Sequence, residues 1–336
     1  MREALLYETL DQDRVRCHLC AHRCLIKPDK TGICGVRLNQ EGRLFTQVYG
    51  LAISTNSDPI EKKPLFHFLP GTSSFSIATV GCNFTCAYCQ NYDISQMPRD
   101  AGRVVGQEIS PSEIVSLAKR RQDASISYTY TEPTIFFEYA LDTARAASAE
   151  GLKNIFVTNG YMTEEALKMI GSDLHAANVD LKAFQDEFYR KLCQAKLEPV
   201  KETIVRMKEM GVWVEVTTLI IPGYNDNEEE LAALAGWLAG VSPEIPWHIS
   251  RFHPTYRLLD ADSTPAATIH RAREIGLAAG LHYVYSGNIW GDEGEKTYCH
   301  HCHHLLIDRT GFSILANHVQ QGACPVCQTP VAGVGI

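Results

Sequence analysis

Three cysteines fall within eight residues at the spacing Cys82-x3-Cys86-x2-Cys89, in the stretch "GCNFTCAYCQN". A disulfide would leave one thiol over, and a closed zinc site wants four protein ligands. A cubic four-iron, four-sulfur (4Fe-4S) cluster has four iron corners. Three thiolates would hold three of them and leave the fourth open to a substrate or cofactor. The alternative is a zinc site that borrows its fourth ligand from elsewhere in the chain. Gly81 and the small residues Thr85 and Ala87 would let three thiolates converge, with Tyr88 as an aromatic cover beside them.

Two further sets flank this one. Cys17-x2-Cys20-x3-Cys24-x9-Cys34 suits tetrahedral zinc or an auxiliary iron–sulfur cluster, and the spacing does not separate the two. His18 and His22 alternate with these cysteines and read as exposed bystanders, with a substitute-ligand role as the alternative. Cys299-x2-Cys302 and Cys324-x2-Cys327 are two CxxC knuckles separated by 21 residues, a zinc-ribbon spacing whose four thiolates would close a structural site. The neighbouring histidines 300, 301, 303 and 304 read as solvent-exposed, and Cys193, alone among the twelve cysteines, as a small core residue. Clustered spacing of this kind indicates metal binding rather than a disulfide framework.

The elements that must position the central loop follow a strand–helix alternation. Short runs rich in β-branched and aromatic residues predict strands at 75–81, 125–131, 154–160, 178–184, 212–221, 247–252 and 283–287. Between them, "SPSEIVSLAKRR" carries a capping box at Ser110 and Glu113 with Pro111 at the first helical position. "NEEELAALAGWLAG" opens at Asn227 with acids in its first turn. Residues 133–150, 186–210 and 265–280 supply further helical patterns. Six or seven such units predict an α/β fold, a partial β/α barrel of the (β/α)6 type, with a doubly wound sheet as the alternative.

Each predicted strand except the first ends in polar residues: "TEP" (131–133), "TNG" (158–160), "DLK" (180–182), "IPG" (221–223), "FHP" (252–254) and "SGN" (286–288). Active sites of parallel barrels lie at that end. Together with the cysteine loop they point to one shared site, although singly each also reads as a helix start, a turn or a satisfied pair. The formal net charge of −8 argues against an electrostatic binder of nucleic acid, zinc ribbon notwithstanding. No run of about 18 apolar residues would span a membrane. No signal segment is read at the start of the chain, so the expected location is cytoplasmic.

The cysteine motif after a strand resembles the signature of the radical S-adenosylmethionine (SAM) enzymes. That resemblance implies that SAM chelates the open iron. Reductive cleavage then yields a 5′-deoxyadenosyl radical that abstracts a substrate hydrogen. Within that group the chain resembles the pyruvate formate-lyase activases. "YTYTEPT" is similar to their Gly-Gly-Glu-Pro segment but lacks both glycines, which implies a SAM contact for Glu132 and, beside it, Thr131. Asp180-Leu181-Lys182 matches their Asp-Leu-Lys. Thr158 and Asp180 match positions that help hold a monovalent cation near SAM, and Asn159 and His253 match positions lining the SAM and adenosine region. Stretches such as "DPIEKKPLFHFLPG", "VTNGYM" and "IPWHISRFHP", with both flanking cysteine sets, resemble the radical SAM member of the AmmeMemoRadiSam system over essentially the whole chain. Implied partners are an external one-electron reductant of the flavodoxin or ferredoxin kind, and Memo-like and AMMECR-like proteins.

Three regions are expected: 1–74, a cysteine module followed by a loop-like lead-in; 75–290, the barrel; and 291–336, a zinc-ribbon-like module. The dense charges Asp58, Glu61, Lys62 and Lys63 read either as a solvated loop or, by the resemblance, as cover or substrate contact for the site. The expected activity is radical SAM chemistry on a small molecule. The alternatives are glycyl-radical installation on a protein, or a non-catalytic metal-module adaptor.

Overall fold

A computed structural model describes residues 1–336. Seven parallel strands form its central sheet: β2 (Ser73–Ala78), β3 (Ser125–Tyr128), β4 (Lys153–Thr158), β5 (Ala176–Asp180), β6 (Trp213–Ile220), β7 (Trp247–Arg251) and β8 (Val284–Gly287), hydrogen-bonded in chain order. All seven predicted strands are present. An eighth, β1 (Ser54–Pro59), adds antiparallel to β2 at the edge, where a loop was expected. Register is level across the sheet, with Ile77 opposite Tyr128, Tyr128 opposite Phe156, and Phe156 opposite Ala177. The carboxyl ends therefore finish on one side.

Helices cover the outer face: α1 (Pro111–Arg120), α2 (Phe137–Ala149), α3 (Glu164–Ile170), α4 (Glu198–Glu209), α5 (Glu228–Val241) and α6 (Ala266–Ala278). The capping box of α1 forms in full, Ser110 Oγ accepting from Glu113 N while the Glu113 carboxylate accepts from Ser110 N at 2.7 Å. Asn227 Oδ1 caps α5, accepting from Glu229 N at 2.8 Å. The helix expected over 186–210 is interrupted. Residues 189–193 form a π-helical turn, Gln194 turns left-handed, and α4 starts at Glu198. The reason is a competing use of the backbone, because the carbonyls of Leu192 and Cys193 accept from Ala87 N and Thr85 N of the cysteine loop.

The amino-terminal module consists of two small antiparallel sheets, one of Arg2–Glu3, Arg43–Thr46 and Arg37–Gln40, the other of Tyr7–Leu10, Arg14–Cys17 and Leu25–Ile26. It is clamped to the barrel by a bidentate pair, Arg37 to Glu138 of α2 at 2.8 and 2.9 Å, with both side chains almost fully buried. The carboxyl-terminal module is a three-stranded sheet of Thr297–Tyr298, Leu305–Thr310 and Ser313–Asn317. Buried Arg309 docks it, donating to Thr297 Oγ1 within the module and to the Phe66 carbonyl outside it. No helix is long and apolar enough to cross a membrane.

Removing one partner of a buried pair leaves the other charge uncompensated. Glu138→Ala is expected to destabilise the protein by roughly 3–5 kcal/mol in denaturant titrations. A loss below about 1 kcal/mol, the worth of an exposed pair, would contradict the clamp.

Candidate functional site

The cysteine loop leaves β2 through Gly81, whose φ of +102° favours glycine. A Cβ here would lie 2.8 Å from Val36 Cγ1 and 3.1 Å from the Cys34 carbonyl, so the glycine also lets the amino-terminal module press against the loop. Arg99 staples the loop from the other side. Its guanidinium donates to the carbonyls of Cys82 and Phe84, both at 2.8 Å, and its Nε to Ile33 of the amino-terminal module at 2.8 Å. Ser95 Oγ stands 3.3 Å from Cys89 Sγ. Tyr88 is buried, with its hydroxyl 3.4 Å from Cys193 Sγ. Cys193 is a fully buried core residue, as expected, and is also a neighbour of the cysteine loop.

Cys82, Cys86 and Cys89 face a cavity of about 590 Å³ that also takes residues from the ends of β3 to β8. Thr131, Glu132, Thr158, Asn159, Asp180 and Lys182 line it with Tyr88, so the structure brings together every predicted SAM-pocket residue except one. His253 lies outside, exposed, with Nδ1 3.1 Å from Ser263 Oγ. The chain beyond β7 turns outward there, and Ser250 of β7 and Asn288 after β8 line the cavity instead.

Glu132 is 2% exposed, and its oxygens accept from Thr134 N, Thr134 Oγ1, Thr158 Oγ1 and Asn159 N. Burial pushes its carboxyl above the ordinary value against the pull of these donors. The carboxylate therefore braces the β3 and β4 ends together. It places Asn159, whose Nδ2 donates to Asn83 Oδ1 at 2.7 Å and stands 3.8 Å from Cys82 Sγ. Thr131 Oγ1 donates to the Thr79 carbonyl. Asp180 accepts from Lys182 Nζ at 2.9 Å. Burial opposes the lysine's charge, yet Asp180 and the thiols of Cys86 and Cys193 hold its pKa well above the usual value.

The charged lead-in is not a solvated loop. Asp58, Glu61 and Lys63 are buried, and Glu61, Lys62 and Lys63 line the cavity. Asp58 accepts from Lys62 and Lys63 at 2.9 and 2.7 Å, from Ser76 Oγ, and from the Tyr130 hydroxyl. Tyr130 sits at φ +63°, a strained position for a tyrosine, with its carbonyl held by Asn91 Nδ2. This network was illegible because its members come from three distant segments. Gly311 and Phe312 of the carboxyl-terminal module complete the wall.

The four thiols of Cys299, Cys302, Cys324 and Cys327 lie within 4.8 Å of one another, as a single metal ion requires, with Cys299 3.5 Å from Cys327 and Cys302 3.6 Å from Cys324. No other group of three or more histidine, cysteine or acidic side chains converges as tightly. Cys82, Cys86 and Cys89 do not form so close a group, a setting that thiolates on three separate irons would take. Three soft donors around an open cavity suit the cluster chemically.

Although burial works against the charge, the donors around Asp58 hold its carboxyl well below the ordinary aspartate range. Such a group stabilises the fold fully above its unfolded pKa near 4 and loses that contribution as pH falls. Asp58→Asn should be less stable than the wild type at pH 7, with the gap in melting temperature narrowing below about pH 4. A gap that is constant with pH would contradict this.

Residues 76–236 match the family model described as the radical SAM superfamily. The chain is 47% identical over 330 residues to an uncharacterised protein of Methanocaldococcus jannaschii, covering 97% of this chain and 98% of that one. It is 24% identical to the pyruvate formate-lyase-activating enzyme of Clostridium pasteurianum over 48% of this chain and 67% of that one. A radical SAM methyltransferase from Sphaerobacter thermophilus shares the fold, with a TM-score of 0.51 and 16% identity over 69% of this chain and 70% of that one. The family match falls on β2 to α5 with the cysteine motif at the head of the cavity, so residues 76–236 carry a radical SAM superfamily domain.

Proposed function

We propose that the protein is a radical SAM enzyme acting on a small polar molecule, with Cys82, Cys86 and Cys89 as ligands of a 4Fe-4S cluster. The observation that carries this reading is the single cavity shared by the three thiols and the polar ends of the parallel strands. With the cluster on the three thiolates and SAM on its open iron, one-electron cleavage of SAM supplies a 5′-deoxyadenosyl radical that takes a hydrogen atom from the substrate.

The chain's own residues have distinct tasks. Asn159, fixed by Glu132, presents an amide beside Cys82. Glu132 is a positioning residue, since its Oε2 holds the Asn159 backbone and its Oε1 holds Thr134 and Thr158. Thr158 donates its hydroxyl to Glu132, and Asp180 has Lys182 as its counter-ion. Lys182 also offsets thiolate charge near Cys86. Tyr88, Phe84 and Phe66 add apolar surface to the cavity wall, which disfavours water there.

A small substrate is favoured because residues of the lead-in and Phe312 wall the same cavity as the cysteines, where His248, Ser250, Ser286 and Asn288 offer polar contacts. The likeness to an activating enzyme favours a second reading, radical installation on a protein. The proposal includes zinc in the carboxyl-terminal site, a flavodoxin- or ferredoxin-like electron donor, a cytoplasmic location, and the association with Memo-like and AMMECR-like proteins implied by the sequence resemblance.

Protein prepared without oxygen and reduced with dithionite should convert SAM to 5′-deoxyadenosine, measured by chromatography. Cys86→Ala should form none, and Glu132→Gln should be slower by about tenfold to a hundredfold through misplacement of Asn159. Wild-type protein that carries iron and sulfide yet yields no 5′-deoxyadenosine would overturn the proposal.

A further inference from the structure

Cys17, Cys20, Cys24 and Cys34 line one small cavity behind the catalytic loop, with apolar neighbours such as Leu19, Ile26 and Ile135. Three polar side chains also line it, His22, Arg37 and Asn83, and the last two are nearly fully buried, at 2% and 1% exposure. Arg37 spends its two terminal nitrogens on Glu138, but its Nε has no partner. Asn83 accepts from Asn159 through Oδ1, but its Nδ2 has no partner either. A buried N–H left unsatisfied costs about 1–3 kcal/mol. Two such donors on the wall of one four-thiol cavity call for an anionic occupant that accepts hydrogen bonds.

The spacing of the thiols indicates which occupant. Tetrahedral zinc with bonds of about 2.3 Å draws its sulfurs to about 3.8 Å apart, and the carboxyl-terminal set meets that requirement. The amino-terminal set shares a cavity but does not converge that closely. In an iron–sulfur cube each thiolate sits on its own iron, so the four sulfurs stand further apart and surround additional acceptor sulfides. We infer that Cys17, Cys20, Cys24 and Cys34 hold a second 4Fe-4S cluster, toward which Arg37 Nε and Asn83 Nδ2 donate.

Four thiolates leave no corner for SAM, so the site's chemistry is a one-electron change. Its place in the fold suits a relay. Asn83 spans the two sites, since it lines this cavity while its Oδ1 stands beside Asn159 and Cys82 Sγ. His22 Nε2 bonds the Asn83 carbonyl at 2.9 Å, so this ring ties the module to the loop and is not a bystander. Cys20 and Cys24 are partly exposed, which gives an external one-electron donor access. One electron enters from that donor and one leaves to the catalytic cluster, so the site ends each cycle unchanged.

The inference rests on the proposed catalytic cluster, and metal counting separates the two. A variant carrying Cys82→Ala, Cys86→Ala and Cys89→Ala, reconstituted with iron and sulfide, should keep about four irons and one zinc per chain. Its reduced electron paramagnetic resonance signal should be unmoved by SAM, and adding Cys20→Ser and Cys34→Ser should remove that iron. Retention of about two zincs and no iron, or of no amino-terminal metal, would overturn the inference. If the triple variant does not fold, 57Fe Mössbauer spectra of the wild type decide instead. About eight irons, half of them insensitive to SAM, support the second cluster, and about four, all sensitive, overturn it. Should the wild type hold only about four irons and the triple variant keep them all, the amino-terminal cluster stands and the catalytic assignment falls.

Discussion

A carboxylate buried at the head of a barrel is tolerated when donors satisfy both oxygens, and Glu132 meets that condition with four. The donors come from the turn after β3 and the end of β4, so satisfying the charge fixes two strand ends against each other. Asn159 is placed by the same contacts, and through Asn83 it fixes the first cysteine of the loop. The level register of the parallel sheet brings the remaining strand ends to the same height. The site is thus held by a chain of hydrogen bonds that begins at one buried charge.

The loop is gripped from outside as well. Arg99 binds two of its carbonyls and one of the amino-terminal module, the π-helical turn supplies two more backbone contacts, and Gly81 admits Val36 at close range. Three thiols on a short loop have little inherent reason to hold one geometry. Here the geometry is imposed by neighbours that converge on the loop from several directions.

Much of this was legible in the sequence because parallel strands are written as short β-branched runs and metal ligands as fixed spacings. The seven strands, the capping box at Ser110 and the four close thiols of the carboxyl-terminal module follow local rules. What escaped depends on contacts between distant segments. His253 sits at a strand end but points out, because the chain turns at that point. Cys193 is buried in the core as expected, but its place beside Tyr88 was not legible. The charges from Asp58 to Lys63 read equally as solvent-facing, and only their pairing with Ser76 and Tyr130 shows them turned inward. Glu132 carries a contact role by resemblance, and its hydrogen bonds also make it a brace, which the sequence did not show.

The central claim is that the three-thiolate loop leaves one coordination position facing the strand ends for SAM. Electron–nuclear double resonance of the reduced protein with SAM labelled by 15N at its amino group tests this directly. The account predicts a 15N coupling of the strength expected for nitrogen bound to a cluster iron, lost when Cys82, Cys86 and Cys89 are replaced by alanine. A reduced cluster signal with no 15N coupling, in protein that binds SAM, would contradict it.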